Sequence, residues 1–195
     1  MRKSTINRET AETKISLSLD LDGTGVSSIE TGHPFFDHML TLFSKHSLID
    51  LTISVDGDIE VDAHHTVEDT GIVLGEAIAE ALGDFGGITR FGHAYLPMDE
   101  TLSRAALDLC RRPYFIWNVE FKRDKVGDMD TELFKEFFQA FATRGGMCLH
   151  MENLYGENQH HIAESLFKAL ARALRMAITP DERLAGQVAS TKGSL

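Results

Sequence analysis

Across residues 13–21, Ile15, Leu17, Leu19 and Leu21 alternate with polar neighbours, a period of two that predicts a half-buried strand closed by the turn Asp22-Gly23. A short strand over residues 26–31 follows. From Pro34 the period changes, and Phe35, Phe36, Met39, Leu40 and Phe43 recur at helical spacing. Residues 48–55 alternate again before Asp56-Gly57 turns the chain. Val67, Ile72, Val73, Ala77, Ile78, Ala81 and Leu82 then mark a helix with one apolar face, stopped near Gly86-Gly87. The remainder predicts the same order: strands over 101–109 and 114–121, a helix through Leu133, Phe134, Phe137, Phe138 and Phe141, and a strand over 147–154. A helix over 160–177 closes the series, with Pro180 beyond it. Residues 187–195 are short, polar and terminal, which predicts frayed coil.

The repeated order has a counterpart in the residues. Glu12-Thr13 and Leu19-Asp20-Leu21 return as Glu100-Thr101 and Leu107-Asp108-Leu109, and His64-His65-Thr66-Val67-Glu68 returns as His160-His161-Ile162-Ala163-Glu164. Two anchors in one order indicate a duplication. We therefore expect a first α+β repeat over residues 1–90 and a second over 91–195, packed on each other as one duplicated unit. In each repeat, amphipathic helices cover one face of a mostly antiparallel sheet, giving two layers.

Composition narrows the chemistry. The 195 residues carry 19 Lys and Arg against 30 Asp and Glu, a formal net charge of −11, which excludes a general hold on nucleic acid or an anionic membrane. An anionic ligand therefore needs a local basic pocket. No apolar run approaches the roughly 20 residues that span a bilayer, and the polar opening lacks the apolar stretch of a secretory signal, so a cytoplasmic protein is expected. Cys110 and Cys148 form no metal-type pair and fit reduced thiols.

The histidines carry the clearest signal. Residues i and i+4 share a helix face, so His64 with Glu68, and His160 with Glu164, can each grip one cation. His65 and His161 point about 100° away on a helix of 3.6 residues per turn and should serve another ion. A single such motif is as well explained by an exposed helix start, but two copies favour metal binding. His38 and His150, each near a carboxylate in sequence, are further candidates; His33, His46 and His93 lack such a partner. Imidazoles with one carboxylate suit Mn2+, Fe2+, Co2+, Ni2+ or Zn2+. Lys168, one turn beyond Glu164, adds an ammonium to the same helix face.

These segments resemble the imidazoleglycerol-phosphate dehydratase family over essentially the whole chain. The resemblance rests on Arg8-Glu9-Thr10-Ala11-Glu12-Thr13, Phe35-Phe36-Asp37-His38-Met39-Leu40, His64-His65-Thr66-Val67-Glu68-Asp69, Pro97-Met98-Asp99-Glu100, Arg112-Pro113-Tyr114, Glu157-Asn158-Gln159-His160-His161-Ile162-Ala163-Glu164 and Ser190-Thr191-Lys192-Gly193. It implies a duplicated fold of the ribosomal protein S5 domain 2-like class and a cytoplasmic 24-mer with active sites at subunit interfaces. Two Mn2+ ions per site are implied, one on His64, Glu68, His150 and His161, the other on His38, His65, His160 and Glu164. Phosphate recognition maps to Arg90, Arg112, Lys168, Ser190 and Lys192, which would order the tail over the ligand, and Glu12 matches the family's acid/base candidate. The implied reaction removes water from imidazole glycerol phosphate to give imidazole acetol phosphate in histidine biosynthesis.

Two positions depart from the family pattern: His33 stands where an aliphatic residue is expected, and Cys110-Arg111 precedes Arg112, which leaves open whether Arg111 competes for the phosphate. No segment matches the phosphatase sometimes fused to this enzyme, so a single activity is expected. A dinuclear hydrolase and a metal-storage shell are the rival readings of the same ligands; the first would release phosphate, and the second gives no reason for the basic set.

Overall fold

In a computed structural model describing residues 1–195, two four-stranded sheets enclose four long helices. The first sheet comprises β1 (Lys3–Glu9), β2 (Thr13–Asp20), β3 (Ser27–Glu30) and β4 (Asp50–Gly57), and α1 (Pro34–Ser47) and α2 (His64–Leu82) belong with it. The second comprises β5 (Phe91–Met98), β6 (Thr101–Leu109), β7 (Tyr114–Asn118) and β10 (Met147–Tyr155), with α3 (Glu132–Arg144) and α4 (Gln159–Ala177). A small hairpin, β8 (Lys125–Val126) and β9 (Met129–Asp130), precedes α3. The spatial orders β1-β2-β4-β3 and β5-β6-β10-β7 are the same path, two antiparallel pairings and one parallel, as a duplicated α+β fold requires.

Alternation places the predicted residues inside. Ile15, Leu17 and Leu19 of β2 and Leu51 and Ile53 of β4 are buried, with Leu17 opposite Ile53 and Leu19 opposite Leu51. Across the molecule, Ala105, Leu107, Leu109, Met147, Leu149 and Met151 line the inner face of the second sheet. Between the sheets the helices meet along an aromatic seam. Phe36 of α1 stands edge-on to Phe137 of α3 with ring centroids 5.4 Å apart, and Phe43 meets Phe141 at 6.0 Å. The two halves thus share one core.

Apart from the β8–β9 hairpin, the strands that the pattern does not reveal lie at edges. β1 and β5 are edge strands: β1 has polar residues on both sides, and β5 contains Gly92 and Pro97, the latter tolerated where no outer ladder is needed. β7 ends at Asn118 rather than extending to residue 121. The tail has no regular structure after a single 3-10 turn at Glu182–Leu184, yet it is tied down: Gly87 donates to the Gln187 carbonyl, Arg90 to that of Ala189, and Leu195 packs against the core. The expected frayed coil is therefore a docked coil, because burial of Leu195 and backbone hydrogen bonds compensate for the ordering entropy.

The two halves approach most closely where α2 crosses α3. Gly71 and Gly75, one helical turn apart, face the α3 backbone; a Cβ at Gly75 would lie 2.5 Å from the Phe141 carbonyl oxygen and 2.8 Å from the Gly145 nitrogen. Helix propensity favours alanine there by about 1 kcal/mol, but the clash is with backbone and costs about 1–3 kcal/mol. The net cost of up to about 2 kcal/mol should therefore lower the thermal midpoint of Gly75→Ala by up to roughly 8 °C at fixed protein concentration, and that of Gly75→Leu by more. An unchanged midpoint for both in differential scanning calorimetry would show that the crossing is not close.

Candidate active site

The N-termini of α2 and α4 are built alike. In each, an Asp or Asn two residues before the first histidine accepts its backbone N–H: Asp62 Oδ1 from His64 at 2.7 Å, and Asn158 Oδ1 from His160 at 2.9 Å. These hydrogen bonds hold the backbone of each first histidine, Asn158 as the N-cap of α4 and Asp62 from one residue before the N-cap of α2, and the paired rings diverge, with planes at 87° in both pairs.

The first histidine of each pair faces its own glutamate one turn on. His64 Nε2 lies 3.7 Å from Glu68 Oε2, and His160 Nε2 lies 3.1 Å from Glu164 Oε2. The second pair gains a third member from α1: His38 Nε2 is 3.5 Å from the same Glu164 oxygen. His38, His160 and Glu164 are the one trio of potential metal-binding side chains whose ligand atoms all lie within 4.8 Å of one another. Glu164 is only 7% exposed, and its other oxygen, Oε1, accepts from Lys168. Burial opposes its ionisation, but the hydrogen bonds from Lys168 and His160 outweigh that and hold the carboxyl below its ordinary pKa. The trio therefore offers two imidazoles and one charged oxygen on one side, a donor set of the kind that takes a divalent transition metal.

The second histidine of each pair is held from behind. His65 Nδ1 lies 3.0 and 3.1 Å from the Asp58 carboxylate oxygens, and His161 Nδ1 lies 2.8 Å from Glu100 Oε2. The hydrogen bond with Asp58 raises the His65 pKa, and the charges of Asp58 and Glu12 add to the effect. In both rings Nε2 remains for another partner; for His65 the near group is Glu12 Oε1, at 3.6 Å. Glu12 sits in the turn between β1 and β2, where Thr10 Oγ1 accepts its N–H and its own carbonyl accepts from Asp58. The acid/base candidate is thus beside a candidate ligand.

Other expected ligands stand apart within one chain. His150 is on the outer face of β10, near Cys148 Sγ at 3.6 Å, and shares a groove of about 630 Å³ with His93, Tyr95, Arg104 and Ile116. It does not meet His64, Glu68 or His161, and His65 does not join the His38 trio.

The basic residues converge more fully. Arg90, Arg112, Ser190 and Lys192 line one cavity of about 340 Å³, with Phe91 and Leu195 as its apolar walls. Arg90 has a left-handed backbone, φ 72°, held by hydrogen bonds to Ala177 and Leu109, and its guanidinium is fixed by both oxygens of Asp108, at 2.7 and 3.0 Å. Lys168 does not line this cavity; it holds Glu164 instead. Arg111 does not compete: it turns away to the Gly83 carbonyl and lies over the Phe85 ring, 4.8 Å from its centroid. His33 also stays outside, mostly buried 3.7 Å from Asp128. Asp58, Glu100 and Asp108 had no expected role; Glu100 and Asp108 fall within the repeated Glu-Thr and Leu-Asp-Leu segments, whereas no pattern marks Asp58.

Comparison with known proteins identifies the family. A sequence model described as imidazoleglycerol-phosphate dehydratase matches residues 31–174. The imidazoleglycerol-phosphate dehydratase of Phenylobacterium zucineum is 60% identical over 194 residues, covering 100% of this chain and 99% of that protein. The crystal structure of the Staphylococcus aureus enzyme superposes with a TM-score of 0.83 at 39% identity, covering 91% of this chain and 99% of its own. The Pyrococcus furiosus enzyme in complex with (S)-C348 gives 0.84 at 36% identity, over 97% and 100%. The chain belongs to the imidazoleglycerol-phosphate dehydratase family, hydro-lyases that dehydrate imidazole glycerol phosphate in histidine biosynthesis.

Proposed function

We propose that this enzyme converts D-erythro-imidazole glycerol phosphate to imidazole acetol phosphate and water in a reaction that requires Mn2+, two ions per active site. The observation that carries the metal requirement is the convergence of His38, His160 and Glu164. On this reading one ion is held by His38, His65, His160 and Glu164, and the other by His64, Glu68, His150 and His161. Since His65 stands away from the His38 trio, and His150 and His161 from His64 and Glu68, in one chain, neighbouring copies complete both shells.

The surface around His150 supports that assembly. Phe91, Tyr95, Tyr114 and Ile116 are large exposed apolar side chains on the second sheet's outer face, whereas the first sheet's corresponding face shows Lys14, Ser16, Thr52 and Ser54. We propose a homo-oligomer, the 24-mer, in which this face is covered. No helix is long and apolar enough to cross a membrane. The free thiols of Cys110 and Cys148 suit a reducing compartment, and we place the enzyme in the cytoplasm.

Bound Mn2+ would supply Lewis acidity and a template for the substrate's imidazole ring. The chain supplies the rest. Arg90, Arg112, Ser190 and Lys192 bind the phosphate, with the Arg90 guanidinium pre-set by Asp108, and Lys168 of an adjoining copy contributes where its charge reaches them. Glu12, directly or through water, takes the proton from the carbon beside the one attached to the ring. The C–O bond next to the ring breaks, and the departing hydroxide takes up one proton to leave as water, balancing the proton that Glu12 removes. The resulting enol tautomerises to the ketone.

Mass spectrometry of Mn2+-loaded enzyme with imidazole glycerol phosphate should find product lighter by one water and no free inorganic phosphate; phosphate release would replace the dehydratase with a hydrolase, and bound metal with no product would favour storage. Glu12→Gln should lower kcat by about 10²–10⁴-fold with Mn2+ content unchanged by elemental analysis. Losing one charge-assisted phosphate contact costs about 1.5–3 kcal/mol, so Lys192→Ala should raise KM roughly 10–100-fold. Its particle mass should stay unchanged. Ile116→Lys, by contrast, should reduce that mass in light scattering, and an intact particle would move the subunit interface elsewhere.

A further inference from the structure

Glu12 and Glu100 occupy matching places in the two halves, each followed by a threonine at the start of the second strand of its sheet, yet their surroundings differ. Glu12 lies beside the Nε2 side of His65, 3.6 Å away, and the Nδ1 side belongs to Asp58. Glu100 lies against Nδ1 of His161 at 2.8 Å. Its other oxygen accepts the backbone N–H of Asn158 at 2.8 Å and of Glu157 at 3.1 Å, and the Thr101 hydroxyl at 2.8 Å. One carboxylate thereby secures both the loop that caps α4 and the ring that the cap presents.

We propose that Glu100, and in the other half Asp58, are positioning residues that set the tautomer of the second histidine in each pair. A carboxylate is an acceptor only, so the imidazole that faces it carries its proton on Nδ1 and keeps the Nε2 lone pair for a metal. The first histidines differ: each faces its own Glu through Nε2, the ligand side, so that glutamate is a fellow ligand and sets no tautomer. The duplicated glutamates have therefore diverged: Glu100 works behind a ligand, and Glu12 is left for chemistry because Asp58 has taken that place. This inference rests on the two-ion reading above.

Glu100→Gln tests it with little change in shape. The amide oxygen can still accept from Asn158 and Glu157, but the amide nitrogen presents N–H to His161 Nδ1, which favours the tautomer with Nε2 protonated and unable to ligate. Titration of metal-free protein with Mn2+, followed by the electron paramagnetic resonance of the free ion, should give two sites per chain in the wild type. Loss of an outer partner weakens metal sites by about 10–100-fold, so Glu100→Gln should weaken one of the two by that factor, with the circular dichroism spectrum and thermal midpoint unchanged. Asp58→Asn should do the same at the other site, and Glu100→Asp, which restores an acceptor, should recover part of the affinity. Wild-type affinity in both the Gln and Asn variants overturns the inference. A wild type that takes up no Mn2+ overturns the metal reading itself. If Glu100→Gln fails to fold, Asp58→Asn decides by the same criterion.

Discussion

A carboxylate buried as deeply as Glu164 must be partnered, and satisfying it organises both the core and the site. An isolated charge there would cost several kcal/mol in desolvation; the structure surrounds it with Lys168 from one turn on, His160 from one turn back, and His38 from α1. The last contact joins the two halves of the chain, because α1 belongs to the first sheet and α4 to the second. Both helices pack on the phenylalanines of α3, with Phe36 of α1 and Phe167 of α4 each meeting Phe137, and Phe35 also stands edge-on to His160 at 5.2 Å. Core packing fixes the helix axes, and the helix axes fix where three ligand atoms meet. With Oε1 held by Lys168, only Oε2 is presented to the two imidazoles, so the donor geometry is set before any ion arrives.

Duplication explains why the site is divided. Each half supplies a helix start with two diverging histidines, and the halves pack through their helices, which leaves both sheets' outer faces at the surface. The first has stayed polar. The second carries aromatic and aliphatic side chains around His150, and the small Ala106 leaves a groove between its strands. An exposed apolar face of this kind is costly for a free monomer, and a histidine set within it gains a role only when something packs there. The oligomer proposed above resolves both facts at once, since the same contact would bury the face and bring His150 to a neighbour's ligands.

Much of this was legible in the sequence, and what was not has a physical cause. Strands half-buried on one side, such as β2 and β4, announce themselves by alternation, and the helices by their apolar stripes. β1 and β5 do not, because edge strands are specified by their neighbour's hydrogen bonds as much as by their own side chains. The i, i+4 ligand pairs were visible because helical spacing is local. Their outer partners were not: Asp58 and Glu100 reach the histidines from a loop and from a strand start, at separations along the chain that no periodicity encodes. The meeting of His38 with Glu164 is of the same kind.

The basic cavity shows how a tail that reads as coil becomes part of a site. Residues 187–195 have little to bury, and by composition alone they would stay mobile. Arg90 alters that balance. Its left-handed backbone is held from both sides, Asp108 fixes two of its guanidinium nitrogens, and the third donates to the Ala189 carbonyl, one residue before Ser190. A single arginine therefore shapes the cavity wall and brings Ser190 and Lys192 to its rim. Arg111, the neighbour that could have confused the assignment, also has a left-handed φ, 56°, and its side chain is spent on the end of α2. That turn is what separates two adjacent arginines into a structural brace and a free cation. A phosphate entering the cavity would meet Arg112 and Lys192 together, with the tail already in place at its rim.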